Sequence, residues 1–399
     1  MKKLGYILIV LIFVGILFSH ALLSIAPWIF LLLSLISAYY NKKEEIKISN
    51  FFIMCFIYFS FILLSVLWSE DKTRSWYLII RKVYFVSVPI SFLLFKRSGI
   101  TFSFEKTFKW FCWIMFLYCF ISLFEVLIYL HKTGQPLHYL FTKMFRTRFQ
   151  ETISFPNHHA YLGLVLNTLV FFLIFYSKKS LQQFLFLLFF LSVLYLNSSL
   201  SAFAGFIFII IYSFLFINLK SIKVAYKALL IITATVVFFI VGNILKEGYH
   251  KKGYWESPRY RILRVFKEGD PSRMENWKSS YEVIRENFFF GTGIGDDISE
   301  LQRKRNPDHY LYINKLNQHN QYLAEFTRNG LLGFIILLGL LFTLVMIKGN
   351  THFVRIFFLL VSIGFLTENT IDRQKGVMFF LLTTAILVSD KSFLQMQKQ

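Results

Sequence analysis

Charge is scarce in this chain: only 16% of its 399 residues are charged, against about a quarter in a soluble globular protein. That deficit excludes an ordinary soluble enzyme, and the apolar excess that accompanies it excludes a disordered chain. Cysteine is scarcer still. Cys55, Cys112 and Cys119 all lie inside apolar runs and form no CxxC pair, which argues against a disulfide scaffold or a zinc framework and leaves buried, inert thiols. Acidic residues number 22 against 43 basic ones, a net charge of +21. No basic segment stands outside the apolar framework, so this excess does not point to nucleic acid. Cytoplasmic loops of membrane proteins collect Lys and Arg, and the remaining excess suits an anionic lipid or a phosphate-bearing substrate. Internal repeats and low-complexity tracts are absent as well.

What the chain has in plenty is apolar surface. Hydrophobic residues make up 56% of it, and Phe alone contributes 50. Taking about 20 apolar residues as one crossing, the apolar stretches fall roughly at 4–18, 21–40, 50–68, 77–95, 109–130, 158–176, 182–198, 201–218, 225–245, 319–347, 352–367 and 376–390. The pattern predicts an all-α polytopic membrane protein of about twelve transmembrane helices. Residues 1–245 hold about nine helices, 246–318 form one large loop with short helices, and 319–399 hold about three helices and a short tail. Ser19-His20-Ala21 imitates a signal-peptide cleavage site after Lys2 and Lys3, but the apolar sequence continues to Tyr40, so both spans are expected to be retained. Ionisable residues inside spans are expected to be few, Glu125 being one.

Orientation follows from the short loops. With the N-terminus in the cytoplasm, alternate loops carry Lys42, Lys43 and Lys47, then Lys96, Arg97, Lys106 and Lys109, then Lys178 and Lys179, then Lys220, Lys223 and Lys227, then Lys348 and Arg355. An even number of spans leaves both termini cytoplasmic. The long loop then lies on the outer side. It carries 14 Lys+Arg and 11 Asp+Glu, and the pattern around Trp277, Val283 and Ile284 predicts an amphipathic helix. Its aromatics argue for a folded cap at the membrane interface rather than disorder.

Polar groups collect on that outer side. Arg146, Arg148, Pro156, Asn157, His158 and His159 precede the sixth span; interfacial anchoring and helix capping account for them as readily as function does. Arg273 and Trp277 stand i and i+4 on one helical face, which also describes an exposed Arg beside an interfacial Trp. Gly291-Thr292-Gly293-Ile294-Gly295 lacks the preceding strand and the following Lys-Ser/Thr of a phosphate loop, and is expected to be a tight turn. Asn317-Gln318-His319-Asn320-Gln321-Tyr322 stands at the mouth of the tenth span. His319 is the best catalytic candidate by type, because imidazole changes charge near neutral pH. Glu368-Asn369-Thr370-Ile371-Asp372-Arg373-Gln374 forms a turn between the last two spans, and charges at such depth tend to be functional. Together these groups suit an anionic, lipid-anchored substrate, with Arg gripping phosphate through paired hydrogen bonds. No DxD-like carboxylate cluster stands out, so a metal-independent reaction without cofactor is expected.

These motifs, in this order, resemble the O-antigen ligase and O-antigen polymerase superfamily of bacterial envelope glycan transferases. The resemblance rests on Phe155-Pro156-Asn157-His158-His159-Ala160-Tyr161-Leu162, on Arg273-Met274-Glu275-Asn276-Trp277-Lys278 with Asn287 and the Gly291–Gly295 turn, and on His319-Asn320-Gln321-Tyr322-Leu323 with Gly330 and Gly333. Leu366-Thr367-Glu368 to Asp372-Arg373-Gln374-Lys375-Gly376 is similar to a C-terminal motif of a Bacteroidetes-type subgroup. The resemblance implies an inner-membrane enzyme with a periplasmic active site. Such an enzyme moves a glycan from an undecaprenyl-pyrophosphate carrier to an acceptor hydroxyl. A ligase uses the lipid A core as acceptor; a polymerase uses a second carrier-linked glycan. His319 matches the family's essential histidine and Arg273 its loop arginine, which implies a hold on the pyrophosphate. Arg373 is a further phosphate candidate by position. Asn320, Trp277, His158 and Glu368 fall in the matching motifs as supporting residues. Two positions depart from the pattern. Ser199 stands where many members carry Arg, a role open to Arg148 or Arg373, and Arg328 stands where the helix after the histidine often carries Glu. A transporter or flippase of lipid-linked glycan is the competing class; it predicts broken helices and polar residues at mid-membrane.

Overall fold

Helices that are apolar all round must bury their whole circumference in protein or lipid, and most helices of this chain are of that kind. In a computed structural model, residues 1–141, 154–177, 180–197, 199–216, 271–347 and 352–390 are described. Their regular elements are all helical: α1 (Lys2–Phe18), α2 (His20–Tyr40), α3 (Asn50–Leu64), α4 (Lys72–Lys82), α5 (Tyr84–Arg97), α6 (Phe104–Lys132), α7 (His159–Phe175), α8 (Leu181–Leu196), α9 (Leu200–Phe216), α10 (Pro271–Glu286), α11 (Asp297–Lys304), α12 (Tyr310–Ile313), α13 (Gln321–Val345), α14 (His352–Thr367) and α15 (Gln374–Ser389), with short 3-10 turns at Leu137–Phe141 and Thr370–Asp372. Every expected apolar stretch overlaps a helix except 225–245, which lies outside the described residues. Four segments are long and apolar enough to cross a membrane: α2, α4 with α5 (Lys72–Arg97), α6 and α13. The remaining apolar helices are shorter.

The chain divides into two compact units. The first comprises Met1–Ile16, His20–Phe104 and Asp270–Gln399. Within it α2 packs on α5, α3 on α13 and α5, α15 on α5, and α14 and α10 on α13. Its aromatic core gathers Phe30, Phe92, Phe95 and Phe102, with ring centroids 4.9–5.8 Å apart. The α4 helix is amphipathic in this setting. Ser75, Leu78, Ile79 and Lys82 face inward, while Trp76, Tyr77 and Ile80 are exposed. Asp71 caps its start by accepting from Arg74 N at 2.8 Å, which satisfies a donor the helix itself cannot.

The second unit comprises Leu17–Ser19 and Glu105–Gly269. Helix α7 is its axis, packed on α8 and α9 and buried from Leu162 to Ile174. Small and amide side chains lock it there. Gly163 faces Ala202, and Asn167 and Asn197 donate to the carbonyls of Ala202 and His159, each at 2.8 Å. Glu125 accepts from the backbone N and hydroxyl of Ser154, at 3.1 and 2.6 Å, so this in-span acid holds a turn.

Candidate active site

Four pieces of the first unit converge on a set of polar side chains: the segment leading into α13, the turn between α14 and α15, the start of α11, and α4. In Asn317-Gln318-His319-Asn320-Gln321 each side chain has its own task. Asn317 Oδ1 accepts from His319 N at 3.1 Å and closes a turn. Asn320 Oδ1 caps α13, accepting from Tyr322 N and Leu323 N at 3.0 and 3.2 Å. Gln318 and Gln321 are buried and donate to Asp297 and Asp372, each at 3.3 Å. His319 is left with a side chain 30% exposed, its backbone at φ +49°. That left-handed conformation is uncommon outside glycine, and such strained residues cluster at functional sites.

Glu368, buried at the end of α14, brings its carboxylate oxygens to 3.1 and 3.3 Å from His319 Nδ1. It also accepts from Asn369 N at 3.2 Å. An ionised carboxylate only accepts, so Nδ1 is the donor in this hydrogen bond. Asn369 extends the arrangement. Its Oδ1 accepts from Asn320 N at 2.9 Å, and its Nδ2 donates to Asp372 Oδ2 at 3.0 Å.

Behind this pair lies a buried charge network. Arg328, on α13, donates to Asp297 from Nε at 2.8 Å and to Asp372 from Nη1 at 2.6 Å. Arg74 and Lys82, both from α4, reach Asp297 at 2.7 Å and Asp372 at 3.3 Å. Lys82 Nζ also donates to Tyr58 OH at 3.2 Å, and that hydroxyl donates to Glu325 at 2.9 Å. Burial alone would raise the Asp372 carboxyl, but Arg328 and Lys82 more than offset it and hold it below the usual carboxylate range. Charges so deep persist only when paired and hydrogen-bonded, and each of these has partners on a different helix. The network therefore fixes α4, α11, α13 and the Thr370–Asp372 turn against one another. Asp296 reinforces it by accepting from Glu70 N, Asp71 N and Ser69 Oγ at 2.7–2.8 Å.

The Gly291–Gly295 segment is the expected turn, and it has a structural partner. At Gly330, φ is +62° and ψ −163°, which breaks α13. The break frees backbone groups, and the turn takes them up. Thr292 N and Gly293 N donate to the carbonyls of Thr327 and Arg328, each at 2.9 Å, and Leu331 N donates to Phe288 O at 2.8 Å. A Cβ at Gly291 would run into the Arg328 backbone, and one at Gly330 into Phe289. Only glycines allow this approach.

The expected helix of the long loop is α10, with Arg273 half-buried on its first turn and Trp277 exposed one turn on. Arg305 anchors it. Its guanidinium, buried and drawn down to about 10 by that burial against the pull of Glu275 and Asp297, donates to Asn276 Oδ1 at 2.5 Å and to the Leu316 carbonyl at 2.7 Å.

Of the residues expected from sequence, His319 and Glu368 meet directly, and Asn320 joins them through Asn369, which accepts from Asn320 N and donates its own N–H to Glu368. Arg373 stands exposed at the residue preceding α15, next to Asp372. His158 belongs to the second unit, where it caps α7 by accepting from Ala160 N at 3.4 Å. Ser199 is also there, buried, with its hydroxyl 2.9 Å from that of Ser201. Arg148 lies outside the described residues. Glu125 is one of several in-span charges: Lys82, Glu325 and Arg328 are buried in stretches read as spans. For Lys82 and Glu325, an ionisable residue inside an apolar run is the signal that points to such a site.

Among the described residues every regular element is a helix, and four segments are long and apolar enough to cross a membrane; these define a membrane protein. Residues 184–338, which include α10, the Gly291–Gly295 turn and His319, match the family model described as O-Antigen ligase. Over that segment the chain is similar to the O-antigen ligase family. No curated protein matches it in sequence.

Proposed function

We propose that the chain is a glycosyltransferase of about twelve crossings with both termini cytoplasmic. It transfers an undecaprenyl-pyrophosphate-linked glycan to an acceptor hydroxyl on the periplasmic side of the inner membrane. The observation that carries this reading is the His319–Glu368 pair, at 3.1 Å, with His319 on the histidine motif inside the matched segment and Glu368 beyond it. Glu368 fixes the tautomer, and Nε2 takes the acceptor's proton as general base. The acceptor oxygen attacks the anomeric carbon. The bond to the pyrophosphate oxygen breaks with inversion, and the carrier departs with the electron pair. Arginines hold the charge that develops on the leaving group. Arg273 is the first of these, with Arg373 supporting it. Trp277 beside Arg273 offers an aromatic face to the sugar or the lipid, while Asn320 and His158 shape the helix starts. Arg328, fully engaged with Asp297 and Asp372, positions the site rather than gripping phosphate.

The test is transfer by purified protein given a carrier-linked repeat unit, with and without lipid A core, beside His319→Ala. Product on the core that disappears in the variant establishes a ligase, and a ladder of longer carrier-linked glycans establishes a polymerase. Normal transfer by well-folded His319→Ala refutes the mechanism.

A further inference from the structure

In the long polar loop, α10 ends on three consecutive phenylalanines. Phe288, Phe289 and Phe290 are all exposed, Phe289 by 63%. The last charges before them are Arg285 and Glu286, and the next in sequence is Asp296, which is buried. An apolar tip of this kind on a polar loop marks an interaction surface. Its level is set by α13. Leu331 N donates to Phe288 O at 2.8 Å, so the tip lies beside the break at Gly330, not beside His319 at the head of the helix. Phe288 packs on Phe326 with ring centroids 5.5 Å apart, and Phe290 on Trp68, beyond α3, at 6.2 Å.

The break also divides α13 by exposure. Every side chain from Gln321 to Leu331 is buried or half-buried. From there on, Leu332, Ile335, Leu338 and Phe342 are exposed, a spacing that keeps them on one side of the helix. In a segment long and apolar enough to cross a membrane, such a stripe is the side turned to lipid. It starts where the phenylalanine tip lies, and the two surfaces are continuous. The backbone suits the same surroundings, because hydrocarbon tolerates non-helical backbone only where protein satisfies its polar groups. Gly291 N donates to Asn287 O, and Thr292 N and Gly293 N donate to the carbonyls of Thr327 and Arg328. Above the tip, Arg285 is exposed and Lys304 pairs with Glu286 at 2.5 Å. Such a charged collar suits the headgroup level.

We propose that Phe288, Phe289 and Phe290 form a wedge inserted among the lipid acyl chains of the leaflet on the long-loop side, so that this part of the loop re-enters the membrane. From Leu331 to Ile347 the chain rises about 25 Å at about 1.5 Å per residue, against a hydrocarbon core of about 30 Å. With Lys348 next in sequence at the opposite boundary, the tip lies about 5 Å inside the hydrocarbon, the depth of an interfacial anchor. Insertion involves no substrate and does not rest on the transferase reading.

Spin labelling of the full chain in phosphatidylcholine nanodiscs tests the wedge. With Cys55, Cys112 and Cys119 changed to Ala, a nitroxide is placed in turn at Phe289→Cys, at Leu338→Cys and at Asp308→Cys, the last exposed between α11 and α12. Power saturation then compares oxygen, which concentrates in hydrocarbon, with a nickel chelate, which stays in water. The Phe289 site should favour oxygen, as Leu338 does, but about 10 Å shallower; the Asp308 site should favour nickel. Phe290→Cys repeats the measurement one residue on. A benzoylphenylalanine at position 289, in the chain with its native cysteines, should form acyl-chain adducts on irradiation, which guards against a fold disturbed by the cysteine changes. Nickel-favoured readings at both 289 and 290 overturn the proposal, because the tip then stands in water. Exclusion of both reagents also overturns it, because the occupant is then protein, either a second copy or another segment of this chain. The same readings are expected in a His319→Ala background, so failure of the catalytic reading leaves this result untouched.

Discussion

Replacing Arg328 by Met removes a guanidinium only 3% exposed and leaves two buried carboxylates behind. The lost contacts are those to Asp297 at 2.8 and 2.7 Å and to Asp372 at 2.6 Å. Breaking a buried pair by deleting one partner costs about 3–5 kcal/mol. Here Asp297 keeps Arg74 at 2.7 Å and Asp372 keeps Lys82 at 3.3 Å, so the low end, about 3 kcal/mol, is expected. At roughly 2 °C per kcal/mol, that lowers Tm by about 6 °C. Scanning fluorimetry in detergent measures it. Transfer should also fall by about tenfold or more at a temperature where the variant stays folded, because Asn369 leans on Asp372 and donates its backbone N–H to Glu368; a factor of ten is about 1.4 kcal/mol of positioning energy. Adding Asp372→Asn should cost less than the two single changes summed, with a coupling of about 1–3 kcal/mol. A variant with wild-type Tm and wild-type transfer refutes the positioning role.

Other expectations follow from the same geometry. Glu368→Gln should lower transfer strongly with little loss of Tm, since the amide keeps the shape but no longer enforces a protonated Nδ1; equal activity argues against the tautomer assignment. Gly291→Ala should lower Tm by several degrees and expose the long loop to protease, because a Cβ there meets the Arg328 backbone at φ +70°; an unchanged digestion pattern counts against the docking role of the turn. The depressed Asp372 carboxyl contributes stability that is fully present above its unfolded value, about pH 4, and is lost as pH falls through the folded value. Melting curves of the wild type should therefore drop below about pH 4, and Asp372→Asn should flatten that acid limb. Arg305→Ala should loosen α10 and increase hydrogen exchange over 271–286 while sparing the exchange of α15.

His319 and Glu368 were each legible as candidates because they fall in turns between apolar runs, where a His and a Glu have few structural reasons to be; that they meet was not. The turn character of Gly291–Gly295 was legible from missing phosphate-loop neighbours. What it docks against was not, because that depends on a break at Gly330, a residue that reads as an ordinary helical glycine. The buried network was hidden for a related reason. Arg74, Lys82, Asp297, Arg328 and Asp372 come from stretches up to 298 residues apart in sequence, and pairing across that distance leaves no periodic trace. Lys82 and Arg328 nonetheless fall in stretches read as spans, 77–95 and 319–347, and an ionisable residue in such a stretch by itself implies a buried partner of opposite charge.

The departure at Arg328 acquires a physical meaning from this network. A carboxylate on that turn of α13 would sit between Asp297 and Asp372 and repel both. With Arg there, the same two aspartates become ligands for one guanidinium and draw the α11 start and the α14–α15 turn onto α13. The cation and the two aspartates therefore form one unit, and none of the three is replaceable alone. Exchanging Arg328 for Glu should be far worse than exchanging it for Met. Converting Asp297 and Asp372 to Asn in the Arg328→Glu background should recover part of the loss, since the amides can donate to the new carboxylate. Absence of any recovery in Tm would mean that shape, rather than charge, sets this turn of the helix.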